Sequence, residues 1–236
     1  MIKKIEKFNY PKMERIDRED GNRTYITPHG IEVPSVTSII SATKSESDKK
    51  KLEKWKKRVG DFKANMIAEE AAHVGTRMHK NIELFIENGG FVRYDGDAFH
   101  KKANKMANLI IQEGLTPLSA TYGQETSLYF KDLYAGTCDV VGIYNNELSI
   151  LDFKQTNKPK KREWVKDYYL QLCAYIQAHN WMFHTDIKTG YVLMASRGHR
   201  TKEVGGEQFQ KFSLSPYMYE RYVEEWNLRV KRYHKK

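Results

Sequence analysis

The chain has 236 residues, 40% of them hydrophobic and 30% charged, with a formal net charge of +10. That balance excludes a disordered chain and gives enough residues for one domain with a sizeable core. The basic excess favours a polyanionic partner, because lysines and arginines near phosphates release counterions.

The first residues, Met1 to Lys7, carry charges with no apolar run behind them, so no signal peptide is expected. No stretch is apolar enough to span a bilayer, so no membrane partner is expected. Two cysteines, Cys138 and Cys173, show neither zinc-site nor cluster spacing. Free thiols in a reducing compartment are the simplest reading.

Tyr25 to Ile40 reads as short extended segments around Pro28 and Gly30. Asp48 to Val59 reads as a very basic helix containing Lys54, Lys57 and Arg58. Phe62 to Glu87 is helical up to the stop at Asn88-Gly89-Gly90, with a break expected at Gly75-Thr76 and Thr76 as a new N-cap. A further helix runs from Asp97 to Glu113. Three strands then follow at Tyr122–Phe130, Tyr134–Tyr144 and Leu148–Gln155. Trp164 to Phe183 is an amphipathic helix, Ile187–Ala195 and Gln208–Leu214 are strands, and Pro216–His234 is a closing helix. This order defines an α+β protein with a mixed sheet flanked by helices. Residues 1–236 read as one domain, mainly helical over 1–115, with the chemistry in 116–236.

The chemistry concentrates in the meander. Asn145-Asn146 sits between two apolar runs and suits a two-residue hairpin turn, since Asn tolerates positive φ. Tyr144 then faces Glu147, and counting on puts Asp139 opposite Asp152 on one sheet face. Like charges that close ask for a cation between them. Lys154 shares the face of Asp152 by the two-residue period. If Lys131-Asp132-Leu133 forms the preceding loop, Glu125 comes opposite Asp139. Carboxylates and a lysine so grouped suit Mg²⁺, or Mn²⁺, one or two ions, acting on a phosphodiester. The bland reading is a salt-bridged surface face.

Gly136-Thr137-Cys138-Asp139 followed by Asp152-Phe153-Lys154 resembles the PD-(D/E)XK nuclease superfamily. Gly75-Thr76-Arg77-Met78-His79, Glu125 and Gln171-Leu172-Cys173-Ala174-Tyr175 resemble the motifs of its RecB-type branch, including exonucleases of the genome-maintenance and phage type. The likeness spans roughly residues 30 to 195. The resemblance implies that Asp139, Asp152, the Phe153 backbone carbonyl, His79 and Glu125 bind metal. It implies that Lys154 acts on the attacking water and that Gln171 and Tyr175 contact DNA. Their spacing puts those two on one helix face. Relatives often hold an iron–sulfur cluster with four cysteines; two cysteines cannot, so no such cluster is expected. The proline that precedes the first aspartate in the superfamily's name is missing. Lys158, Lys160, Lys161 and Arg162, after the catalytic strand, are phosphate-contact candidates, as are Lys54, Lys57 and Arg58 in a helical arch over the site; solvated faces compete with both. The activity implied is a DNA exonuclease on single strands, in a bacterial or phage replication system by analogy alone. An endonuclease and a catalytically silent DNA-binding accessory protein are the alternatives.

Overall fold

The computed structural model describes residues 2–91, 96–197 and 208–235. A six-stranded mixed sheet has the order β1-β5-β6-β7-β8-β9, and a separate three-stranded sheet the order β2-β3-β4. In chain order the strands are β1 (Lys3–Lys4), β2 (Glu14–Asp17), β3 (Arg23–Ile26), β4 (Glu32–Pro34), β5 (Leu118–Phe130), β6 (Tyr134–Tyr144), β7 (Glu147–Thr156), β8 (Thr189–Ser196) and β9 (Gln208–Leu214). The helices are α1 (Val36–Ala42), α2 (Glu46–Val59), α3 (Asp61–Asn88), α4 (Ala98–Gly114), α5 (Lys166–Phe183) and α6 (Pro216–His234).

The large sheet is covered on both faces. On one side Ile39 of α1, Leu170, Cys173 and Ala174 of α5 and Trp226 of α6 pack on Val141, Ile150, Val192 and Met194. On the other, Met78 and Ile82 of α3 and Met106 and Ile110 of α4 pack on Val140, Leu151, Phe153 and Leu193. Alternate strand residues feed the two cores, as the pleat requires. β7 and β8 run parallel. A parallel pair needs a crossover, and α5 supplies it. The mixed sheet flanked by helices is the fold class expected from the sequence.

Both hairpins form in the expected register. Tyr144 pairs with Glu147, and Asn145 and Asn146 take φ of 50° and 64°. Phe130 pairs with Tyr134 around a turn in which Lys131 has φ of 50°. Two expectations fail, and two strands are new. Val36–Ala42 is helical rather than extended, because the Ser35 hydroxyl accepts from the Ser38 N–H and starts a helix despite the β-branched residues. α3 runs unbroken through Gly75-Thr76, since Val74, Met78, Ile82 and Ile86 form one buried stripe against α4. β1 and β2 were not anticipated.

Among the described residues, no helix is long and apolar enough to cross a membrane. Cys138 and Cys173 are buried free thiols, one in each of two facing elements of the same core.

Candidate active site

The site opens where two strands part. β6 and β7 pair up to Val140–Leu151 and no further. Beyond that point β6 stays with β5, while Asp152 to Thr156 of β7 pair with β8. The expected Asp139–Asp152 pair therefore lies one step past the end of the ladder. Its place is taken by a side chain: Asp139 Oδ2 accepts the Phe153 backbone N–H at 2.5 Å. That N–H points into the gap between the strands, and Asp139 satisfies it.

His79 reaches the gap from α3. Its Nδ1 lies 3.5 Å from Asp139 Oδ1 and 3.8 Å from Glu125 Oε1. Its Nε2–H donates to the Phe153 carbonyl at 3.0 Å. Glu125 sits between the pairs Gln124–Val140 and Thr126–Cys138, which places it opposite Asp139 as the loop count predicted. The ligand atoms of His79, Glu125 and Asp139 all lie within 4.8 Å of one another. One imidazole and two carboxylates are a donor set that suits a divalent cation, and the surplus of negative charge asks for one. The Phe153 carbonyl, an expected ligand, accepts from the His79 Nε2–H and orients the imidazole, turning Nδ1 to the carboxylates.

Asp152 stands outside this trio. It is 1% exposed, and Lys154 Nζ donates to its Oδ1 at 2.7 Å and lies 2.6 Å from Oδ2. Lys154 also lies over the Tyr168 ring, 5.6 Å from its centroid. The electrostatics separate the two aspartates. Burial, reinforced by Asp139, pushes Asp152 up to about 6 despite Lys154. Burial also opposes ionisation of Asp139, but His79, Lys154 and the Phe153 N–H outweigh it and hold this carboxyl below its ordinary range. Burial disfavours a charged His79, yet Asp139 and Glu125 push it up to about 10; a cation held by the trio would take the place of the Nδ1 proton. Burial likewise works against the Lys154 ammonium, and Asp152 and Asp139 reverse that.

Gln171 and Tyr175 line the same cleft, as does Lys154. Gln171 Nε2 donates to the Tyr175 hydroxyl at 3.1 Å, so the i, i+4 pair acts as one unit on α5. The Tyr175 ring lies over Gly136, where a Cβ would come within 2.8 Å of it. None of Lys158, Lys160, Lys161 and Arg162 lines the cleft. Lys160 is tied by its backbone to Gln210, and Lys161 lies over Trp164. Lys54, Lys57 and Arg58 are exposed on α2, which buries no residue, and Lys57 pairs with Glu53. Sequence reasoning missed Arg15, Arg23, Tyr25 and Thr37, which also line the cleft. Short polar strands such as Glu14–Asp17 carry almost no hydrophobic pattern to announce them.

Fold and site together define a mixed-sheet α/β protein with a cleft able to hold a divalent cation beside an ion-paired lysine. No family model matches the chain. Among curated proteins it is similar to the mitochondrial genome maintenance exonuclease 1 of Mus musculus, 26% identical over 86% of this chain and 60% of that protein. The proteins of the same name from Xenopus tropicalis and Homo sapiens are 25% and 24% identical, again over 86% of this chain. The chain thus spans about 60% of the length of the curated relatives it matches. A crystal structure from Eubacterium rectale, described as a candidate exonuclease, superposes with a TM-score of 0.46 at 12% identity, covering 69% of this chain and 64% of that one.

Proposed function

We propose that the protein is a divalent-metal-dependent deoxyribonuclease of the PD-(D/E)XK type that removes nucleotides from the ends of single-stranded DNA. One observation carries this reading: three ligand side chains converge within 4.8 Å of one another in a cleft that Lys154 also lines. The exonuclease names of the relatives and the basic charge support it.

On this reading His79, Glu125 and Asp139 hold Mg²⁺ or Mn²⁺, with Asp152 at the edge of the set. The bound cation supplies Lewis-acid stabilisation of charge on the phosphodiester. The chain does the positioning. Phe153 fixes the His79 ring through its carbonyl and Asp139 through its N–H. Asp152 and Tyr168 fix Lys154, whose ammonium orients water or steadies the charge that builds on phosphate oxygens. Gln171 and Tyr175 present a rigid polar wall to the strand. The basic face of α2 and the stretch from Lys158 to Arg162 lie outside the cleft and would act through electrostatic capture.

The test is digestion of end-labelled linear single strands, circular single strands and duplex in Mg²⁺, in Mn²⁺ and in EDTA. Metal-dependent loss of the linear strand with the circle intact is the expected result. Cutting of the circle points to an endonuclease. Binding without any cutting leaves a DNA-binding accessory protein and overturns the catalytic reading.

A further inference from the structure

The small sheet β2-β3-β4 has no part in the trio, yet two of its arginines line the cleft. Arg15 pairs with Tyr25, and Asp17 with Arg23, across the β2–β3 ladder. Arg15 and Asp17 are two residues apart, so all four side chains share one sheet face. That face looks into the cleft. The buried Tyr25 places its hydroxyl 3.2 Å from Thr137 Oγ1, two residues before Asp139. The backbone of Arg23 is pinned as well. Its N–H donates to Ser38 Oγ at 2.8 Å, and its carbonyl accepts from the Ser35 N–H at 2.8 Å.

Asp17 holds the two guanidiniums together. Arg15 donates through Nε and an Nη to Oδ2, at 3.0 and 2.7 Å, and Arg23 donates through Nε to Oδ1 at 2.7 Å. One carboxylate thus serves two cations, leaving a net positive charge at the cleft wall. Among the described residues, the Arg23 side chain donates a hydrogen bond only through Nε, which leaves its Nη groups to a ligand. An ordinary exposed ion pair contributes little to stability. Two guanidiniums pre-set by a shared carboxylate, with Nη–H donors left over, are better suited to oxygens of a tetrahedral anion.

We propose that Arg15 and Arg23, held together by Asp17, form a cradle for one phosphate of the substrate strand, on the cleft wall that the small sheet supplies. The identity of that strand rests on the nuclease reading. The phosphate is either a terminal monoester or an internal phosphodiester, and the same chemistry takes both.

The test uses short fluorescein-labelled single-stranded oligodeoxynucleotides bearing a 5′-hydroxyl or a 5′-phosphate, with binding followed by anisotropy in Ca²⁺ across a salt series. The Arg15→Gln/Arg23→Gln variant should bind about tenfold more weakly or worse. Its plot of log affinity against log salt should be shallower by roughly 0.7 for each phosphate it no longer neutralises. Arg23→Lys keeps the charge, so it should keep the slope yet lose affinity. Lys188→Gln removes a charge that does not line the cleft and should change neither quantity measurably. A 5′-phosphate that strengthens wild-type binding, and no longer does so in the double variant, assigns the cradle to a terminal monoester. Equal losses with both ends assign it to an internal phosphodiester. A double variant no weaker than Lys188→Gln, with melting unchanged, overturns the cradle while leaving the nuclease intact. Should the wild type neither bind nor cut DNA, the nuclease reading falls. The cradle is then read from arginine Nε–H resonances during titration with inorganic phosphate: shifts at Arg15 and Arg23 support it, and none overturns it.

Discussion

Glu125 has a backbone φ of 46° inside an antiparallel strand. For a residue with a side chain this left-handed conformation costs on the order of 1–2 kcal/mol, and such strain gathers at functional sites. It places the carboxylate beside His79 and Asp139. Glycine adopts the conformation freely. Glu125→Gly is therefore expected to melt at or above the wild-type temperature while binding Mn²⁺ more weakly. A loss of about 1 kcal/mol, as for glycine in an ordinary strand, would count against stored strain. The roles of Asp139 and Lys154 give a second prediction. Asp139→Asn and Lys154→Ala should each slow cleavage by about a hundredfold or more, in the range for lost transition-state charge stabilisation. DNA affinity measured by anisotropy should change far less, because neither side chain offers a solvent-exposed charge of the kind that dominates strand capture. Wild-type rates in both variants would refute the site.

At the scale of elements, what was legible depended on how local the signal was. Turn chemistry is local, so Asn145-Asn146 fixed the β6–β7 register and the loop at Lys131 fixed that of β5–β6, which put Glu125 opposite Asp139. The end of the β6–β7 ladder is not local. It depends on β8 holding Asp152 to Thr156, and no count along the hairpin reveals it. For the same reason the sequence pointed to Asp139 and Asp152 as partners, whereas the folded chain gives Asp139 to His79 and Asp152 to Lys154. Tertiary packing also overrode propensity at Gly75, where α3 continues although glycine weakens a helix interior. A Cβ at Gly75 would meet only Gln155 Cγ, at 4.0 Å. Gly75→Ala should accordingly raise stability by about 0.5–1 kcal/mol in urea denaturation. A destabilised variant would show that the helix is broken there after all.

Across the whole molecule, the N-terminal segment is fastened to α5 far along the chain. Phe8 and Tyr10 close around His179 and Phe183, with the Phe8 and His179 rings 4.8 Å apart. The buried imidazole bonds on both sides, Nδ1 with Thr185 Oγ1 at 2.8 Å and Nε2 with the Tyr10 hydroxyl at 3.1 Å. Aromatic rings and hydroxyls surround it and, among the described residues, no carboxylate is bonded to it, so burial pushes its pKa down to about 4. In the unfolded chain the same ring titrates near ~6.5. Between those values the unfolded state binds a proton that the folded state refuses, so stability rises with pH across that window. The contribution is fully present above the unfolded value, is lost progressively as pH falls from about 6.5 to about 4, and changes no further below that. Urea melts across this range should show wild-type stability falling more steeply with acid than that of His179→Gln, which keeps polar atoms but cannot be protonated. Limited proteolysis should cut near Phe8 sooner in the wild type than in the variant as the pH approaches 4. Parallel curves for the two proteins would mean that protonation of His179 does not oppose the closure of the N-terminal segment on α5.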